Sequence, residues 1–214
     1  MPNEIVFAGK HTIAPLLFDP TKLNGLSEKL IRSHHENNYG GAVKNLNRVE
    51  EELARVTKDT PPLVVAGLKE RELTFTNSAI LHEQYFANLG GDGRANGAIE
   101  KALAEAYGSL GRWEEHFRLI CMSLAGGSGW AVLVYDFQKG GVRTYWSGHH
   151  TQSVAFGQPL LVMDMYEHSY HLDYGAAAAK YIDAFFQNIH WDEVNRRLEQ
   201  AAKAAPILRA HRAG

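Results

Sequence analysis

The chain has 214 residues, enough for one large domain or two small ones, and its 45% apolar content is ordinary for a protein that buries a core. A formal net charge of −2 argues against a broad basic surface, and therefore against nucleic acid as a partner. Cys121, the single cysteine, excludes an internal disulfide and a cysteine-based zinc or iron–sulfur site. Because the sequence shows no signal-peptide core and no apolar run of about 18 residues, we expect a cytoplasmic protein with no membrane partner.

The first half of the chain has the pattern of helices. After an arm interrupted by prolines, apolar residues recur at helical spacing from Ser27 to Val56. The pair Gly40–Gly41 interrupts this stretch and predicts a kink or a close approach by another backbone. A second helical stretch covers residues 68–89 and ends at the glycine-rich loop 90–97. We therefore predict an all-α helical hairpin in an N-terminal domain of residues 1–92.

The second half of the chain combines helices with short strands. Two predicted helices precede three β-like apolar runs, and two closing helices follow. The three strands are predicted at Trp130–Tyr135, Val142–Trp146 and Leu160–Met163, in a hairpin-like meander. This order indicates the α+β class: an all-α N-terminal helical hairpin, then a C-terminal α/β domain with a three-stranded antiparallel sheet flanked by helices. The predicted C-terminal domain covers residues 93–214.

The stretch LLVMDMYEHSYHLDY, residues 160–174, carries the first candidate chemistry. Its four leading apolar residues predict a buried strand that ends at Asp164. If a helix follows, Asp164 and His168 lie one turn apart, and their carboxylate and imidazole are suitable ligands for a transition-metal ion. An Asp and a His at this spacing are more often an ordinary helix-start pair. A metal site therefore requires further ligands elsewhere in the chain.

This stretch resembles the D-x-W-E-H-A-Y signature of the iron/manganese superoxide dismutases. Asp164, Glu167, His168 and Tyr170 match the signature, and Tyr166 stands where the family usually has Trp. Three further segments extend the resemblance over nearly the whole chain: SHHENNYGGAVKNLN from Ser33, AILHEQYF from Ala79, and GSGWAVLVYD from Gly127.

The resemblance implies one iron or manganese ion per chain, held between the two domains. The family's four protein ligands correspond to His34, His82, Asp164 and His168. Three imidazoles and one carboxylate suit iron or manganese better than a hard, oxygen-preferring cation. Iron is favoured because Tyr85 resembles the iron-type pattern. Taken alone, His34 has the ordinary interpretation of a solvated residue near a helix kink, and His82 that of a satisfied core histidine.

The resemblance also implies roles around the ligands. Glu167 is expected to reach His168 of the partner subunit, in a homodimer or dimer of dimers whose interface includes Tyr170 and Ser128. The residue expected to contact solvent on the metal is His149, with His150 as the alternative. Further residues expected to shape and dry the cavity are Trp130, Tyr166, Tyr85 and Phe86.

The chain departs from the family pattern at the substrate gate. The family's gate Tyr corresponds to Ala42 and its gate His to Asn38, so Tyr39 is the candidate to supply a hydroxyl. The usual Arg after the motif corresponds to Ala178. Lys180 or Lys44 are the candidates to supply the missing positive charge.

The activity implied by the resemblance is disproportionation of the superoxide anion to oxygen and hydrogen peroxide. The alternative from another class is a metal-binding or structural protein of the same fold with little turnover, which the residues at the altered gate favour. A helical-bundle di-iron carboxylate protein is excluded because its Glu-x-x-His pairs are missing.

Overall fold

The computed structural model describes residues 9–152 and 154–209. Helices make up the first half, and a three-stranded antiparallel sheet with helices makes up the second, so the predicted α+β class is confirmed. The domain boundary after residue 92 remains a prediction. None of the helices in these described ranges is long and apolar enough to cross a membrane.

Three helical segments follow one another where the sequence predicts a single helix. Helix α1 covers Glu28–Ser33, a π-helical turn covers His34–Tyr39, and helix α2 covers Gly40–Leu53. Ser27 starts α1, because its side chain accepts a hydrogen bond from the backbone N–H of Leu30. The predicted irregularity is therefore a π-helical turn, which ends directly before the glycine pair.

Helix α3 is the long partner of α2 and packs along it. It covers Pro62–Ala87 and begins six residues earlier than predicted. The early start has a physical reason, because proline is favourable in the first helical turn, where its missing N–H has no helical partner. Polar residues of this first part face solvent, and the buried residues of α3 lie in its second half, from Ser78 to Phe86.

The sheet follows helices α4, Gly97–Tyr107, and α5, Leu110–Ser123. Its strands are β1, Trp130–Asp136, β2, Gly141–Ser147, and β3, Gly157–Asp164. The strand order is β2-β1-β3, so the predicted meander is wrong: a meander would place β2 in the middle. The chain after β2 returns to the free edge of β1, where Trp130 pairs with Asp164 in the β1–β3 ladder.

The segment after β3 differs from the predicted helix. Residue Asp164 ends the strand, the chain continues extended through Tyr166, and a 3₁₀ turn covers Glu167–Ser169. The later helices are α6, His171–Tyr174, α7, Ala178–Gln187, and α8, Trp191–Arg209. The chain after residue 209 lies outside the described residues.

One apolar core joins both halves of the chain, with buried residues from Leu26 to Leu198. Strand β3 is buried along its second half, which explains its continuous apolar run. The buried side chain of Asn88, after α3, accepts the backbone N–H of Val162 at 2.9 Å. Arg197 of α8 donates to the carbonyl of Leu160 at 3.1 Å. Both contacts hold β3, and hence the residue at its end, against α3 and α8.

Candidate metal centre

Four side chains that could hold a metal ion meet in the interior, and they come from different elements. They are His34 of the π-helical turn, His82 of α3, Asp164 at the end of β3 and His168 of the 3₁₀ turn. One ligand atom of each lies within 4.8 Å of the others. The Nε2 atoms of His34 and His168 are each 3.1 Å from Asp164 Oδ2, and that of His82 is 3.5 Å away.

The geometry of the cluster fits a single metal ion. Ligand atoms about 2.1 Å from one ion lie about 3–4 Å from each other, close to the separations found here. The Nδ1 atom of His82 donates to the Ser78 carbonyl at 2.7 Å, so the lone pair of Nε2 points at the cluster. That Nε2 is buried without a hydrogen-bond partner among the described residues. A metal ion would satisfy it.

Asp164 is oriented by its own local backbone. Its Oδ1 accepts the backbone N–H of Tyr166 at 2.8 Å, which leaves Oδ2 for the imidazoles. The hydroxyl of Tyr181 donates to the Asp164 carbonyl at 2.8 Å and is hydrogen-bonded to the Tyr85 hydroxyl at 3.2 Å. The ring of Tyr85 in turn lies 5.1 Å from that of His34. The sequence analysis missed Tyr181, although a buried tyrosine within an apolar helix face usually has a polar partner.

Burial and neighbouring charges lower the pKa values of Asp164, His34 and His82 and raise that of His168. Burial would raise the pKa of Asp164, but the charge of His168 and the hydrogen bonds from His168 and His34 outweigh it and lower that pKa. Burial lowers the pKa of His34, and burial with the charge of His34 lowers the pKa of His82 to about 3. For His168, attraction to Asp164 outweighs burial and raises the pKa. An ionised carboxylate and neutral His34 and His82 are the protonation states that metal binding requires.

A cavity of about 240 Å³ leads to the cluster. The π-helical turn with α2 forms one wall, α3 forms the other, and His82 and His168 line its inner end. No lysine or arginine occurs among the described residues that line it. Both Lys44 and Lys180 are exposed and lie outside this lining, so neither places its charge on the cavity wall.

The histidine pair after β2 requires a correction. His149 is exposed and its Nδ1 contacts the Thr151 hydroxyl at 3.0 Å, so it does not face the ligands. His150 lines the cavity instead. Its ring stacks on Tyr166 with centroids 4.7 Å apart, and its Nδ1 accepts the indole N–H of Trp130 at 3.0 Å. These two contacts turn the second histidine of the pair inward.

Tyr39 also requires a correction, because its hydroxyl does not reach the gate. The hydroxyl donates to Glu83 Oε1 at 2.8 Å and accepts the backbone N–H of Ala14 at 2.8 Å. It lines a different cavity, formed by the N-terminal arm, α3 and α8. The π-helical turn points His34 at the cluster and the Tyr39 hydroxyl at the arm.

Two aromatic residues shield the cluster, as the family resemblance implies. Trp130 is fully buried, and its ring meets that of His82 edge-on at 5.1 Å. Tyr166 is half-buried and stacks on His168 at 5.4 Å as well as on His150. Together they leave little room for water on this side of the ligands.

The residues expected at a subunit interface have different environments. Glu167 is exposed, and its carboxylate forms no hydrogen bond or ion pair with any described residue. Ser128 is half-buried, and its hydroxyl lies 3.4 Å from the Gly148 carbonyl. The prediction that Tyr170 lies at the subunit interface needs correction, because this residue is 1% exposed and its ring stacks on that of Tyr181 within the same chain at 5.2 Å. Its side chain is part of the core.

Comparisons with known proteins agree with this site. The C-terminal domain that characterises iron/manganese superoxide dismutases matches residues 95–197. An iron superoxide dismutase of Cupriavidus metallidurans is 48% identical over 194 residues, covering 90% of this chain and 98% of that protein. An iron enzyme of Aquifex pyrophilus is 34% identical over 211 residues, covering 94% of this chain and 98% of its own. A manganese enzyme of Halobacterium salinarum is 32% identical over 200 residues, covering 91% and 98%.

The chain therefore belongs to the iron/manganese superoxide dismutase family, which confirms the resemblance found in the motifs. Relatives named for each of the two metals align over most of the chain, so the family defines an iron- or manganese-type site.

Proposed function

We propose that this protein disproportionates superoxide: two superoxide anions and two protons give oxygen and hydrogen peroxide. The observation that carries the proposal is the convergence of three imidazole nitrogens on Asp164 Oδ2 in a member of this family. His34, His82, Asp164 and His168 would hold one iron or manganese ion. When bound, the ion supplies one-electron chemistry in both directions, because it has two accessible oxidation states.

The residues of the chain orient the side chains of the site, exclude water from the ligands and hold protons at defined atoms. Trp130 and Tyr166 exclude water beside the ligands. The indole N–H of Trp130 is a donor only, so His150 Nδ1 must be unprotonated where it accepts that hydrogen bond. Burial lowers the pKa of His150 to about 4, so the ring is neutral and carries its proton on Nε2. That N–H is a hydrogen-bond donor to a species in the cavity.

Iron is the metal that we propose. Support comes from Tyr85, three residues after His82, and from the iron enzyme of Cupriavidus metallidurans at 48% identity. Manganese relatives at 32% identity make metal analysis of the purified protein the deciding measurement. Manganese in stoichiometric amounts, with activity and without iron, would overturn the iron assignment.

We also propose a homodimer in which Glu167 contacts His168 of the partner subunit. The support is the exposed, unpaired carboxylate of Glu167 beside a ligand whose other ring nitrogen needs an acceptor. Glu167→Gln should weaken the dimer in sedimentation analysis and lower metal content, whereas Glu115→Gln, on the surface of α5, should change neither. A fully active wild-type monomer at micromolar concentration would contradict the dimer.

The experiment that tests the activity compares two histidine variants. His82→Ala should lose both the metal and superoxide removal, because it deletes a buried ligand. His116→Ala changes an exposed histidine far from the cluster and should keep both. Full metal content and activity in His82→Ala would refute the ligand set.

The alternative function, a metal-binding or structural protein with little turnover, has two observations in its favour. The gate position carries Ala42, and the cavity wall offers no lysine or arginine among its described residues. A loaded wild-type protein that fails to remove superoxide would establish this alternative.

A further inference from the structure

One face of the cavity wall carries two side-chain amides. Asn38 lies near the end of the π-helical turn, Ala42 follows four residues later, and Asn45 follows three residues after that. At this spacing all three share one helical face, and all three line the cavity. Both asparagines are half-buried, and neither side chain hydrogen-bonds to a described residue. The small side chain of Ala42 leaves the space between them open.

The neighbouring asparagines have other partners. The amide of Asn77 donates to the His150 carbonyl at 2.6 Å, and that of Asn37 is exposed and contacts the Ser33 hydroxyl at 3.4 Å. Partly buried amides are ordinarily paired, and each carries two N–H donors. The amides of Asn38 and Asn45 therefore remain available to whatever enters the cavity.

The chemistry of the wall indicates what these amides would meet. Opposite them, α3 contributes Thr74, whose hydroxyl donates to the Glu70 carbonyl at 2.9 Å, and the hydroxyl of Ser78; no carboxylate, lysine or arginine lies among the described lining residues. Neutral donors stabilise a small anion at short range through hydrogen bonds, without the long-range field of a lysine or arginine. Such a wall selects among anions by their size and by the hydrogen bonds that they accept.

We propose that the amides of Asn38 and Asn45 bind the small monovalent anion on its way to the ligand cluster. The inference rests on the proposed function, for which superoxide is that anion. The two amides take over the place of the gate hydroxyl that Ala42 lacks, as hydrogen-bond donors that carry no titratable proton. They are specificity-determining residues for this cavity.

The test uses azide, a small monovalent anion, and measures its dissociation constant from the absorption change of the metal-loaded protein. Asn45→Ala and Asn38→Ala should each weaken azide binding about tenfold, the typical effect of losing one hydrogen bond to a charged group. Asn45→Asp keeps the shape, replaces the donor by a negative oxygen, and should weaken binding further.

The matched control is Lys101→Gln, which lowers the net charge by one as Asn45→Asp does, but at an exposed position of α4 outside the cavity. It should leave the azide dissociation constant within about twofold, because an exposed charge that does not line the cavity is screened by salt. An equal effect of the two variants, or wild-type affinity in both alanine variants, would overturn the assignment.

Metal content and superoxide removal are measured on the same samples. An active, loaded wild type whose alanine variants bind azide normally overturns this assignment and leaves the proposed function intact. A wild type without metal or activity overturns the proposed function and this assignment with it.

Discussion

At the scale of single residues, the contact between Trp130 and His150 decides which ring nitrogen of His150 offers a hydrogen-bond donor to the cavity. The indole N–H occupies Nδ1 at 3.0 Å and so directs the ring proton to Nε2. Stacking on Tyr166 holds the plane of the ring. The tautomer and the orientation are thus both set by residues that need not contact substrate.

We expect Trp130→Phe to keep the metal but to slow the step in which peroxide is protonated. The phenyl ring fills most of the space yet donates no hydrogen bond, so His150 loses its fixed tautomer. Loss of such an orienting contact commonly lowers activity about 10–100-fold. Pulse radiolysis, which follows the two half-reactions separately, measures the effect.

Trp191→Phe is the matched control for this prediction. Trp191 is also buried, but its indole N–H has no hydrogen-bond partner among the described residues. It should lose the same volume without any change in the half-reactions. Equal slowing in both variants would attribute the effect to packing instead of to the tautomer.

At the scale of elements, the π-helical turn decides which side chains enter the site. It directs His34 inward, while the hydroxyl of Tyr39 at its end binds Glu83 and the backbone of Ala14. In the same turn, the ring of His35 contacts the Ala14 carbonyl at 2.8 Å. The N-terminal arm is therefore held to the turn through both backbone groups of Ala14. Such π-helical turns are frequent at functional sites.

We expect Tyr39→Phe to destabilise the protein by about 1–2 kcal/mol, the cost of leaving polar partners without a hydrogen bond. Activity per bound metal should remain, because the hydroxyl faces away from the cavity. The urea midpoint and the metal-normalised rate measure both effects. Tyr135→Phe removes a half-buried tyrosine hydroxyl that has no hydrogen bond to a described residue, and should alter neither. A loss of the metal-normalised rate in Tyr39→Phe alone would contradict this prediction and show that the Tyr39 hydroxyl acts at the gate.

At the scale of the whole molecule, the shared core holds several histidines in neutral form. Burial lowers the pKa of His82 to about 3 and that of His150 to about 4, and it lowers the pKa of His34. The unfolded chain takes up these protons near pH 6.5. Between that pH and about 4 the unfolded state therefore binds more protons, and stability falls as the pH falls.

We expect the metal-free protein to lose stability between about pH 6.5 and 4, by about 1.4 kcal/mol per pH unit for each such histidine. The opposite shift of His168 does not compensate. Its raised pKa contributes stability that is already complete below the unfolded value and is lost only as the pH rises. Urea midpoints of the metal-free protein at neutral and acidic pH measure the loss. His116→Gln, at an exposed site, should leave the pH dependence unchanged, and equal midpoints at both pH values would contradict the prediction.

The sequence by itself determined the class of the fold, and the resemblance of its motifs to the family supplied the four candidate ligands. Local pattern shows the setting of two of them: apolar residues precede Asp164, and an apolar helix face precedes His82. Most of β1 and the run Leu160–Met163 of β3 are apolar because they are buried, so the existence of these strands follows from composition. Capping by Ser27 likewise follows from a short pattern.

Only the tertiary structure decided which of two adjacent side chains faces the site. His150, and not His149, turns inward because Trp130, 20 residues away, donates to it. The hydroxyl of Tyr39 points to the arm because Glu83, 44 residues away, accepts from it. Tyr170 is core because Tyr181 covers it. In a loop or a π-helical turn, no regular period fixes where a side chain points, so contacts between distant residues make the choice.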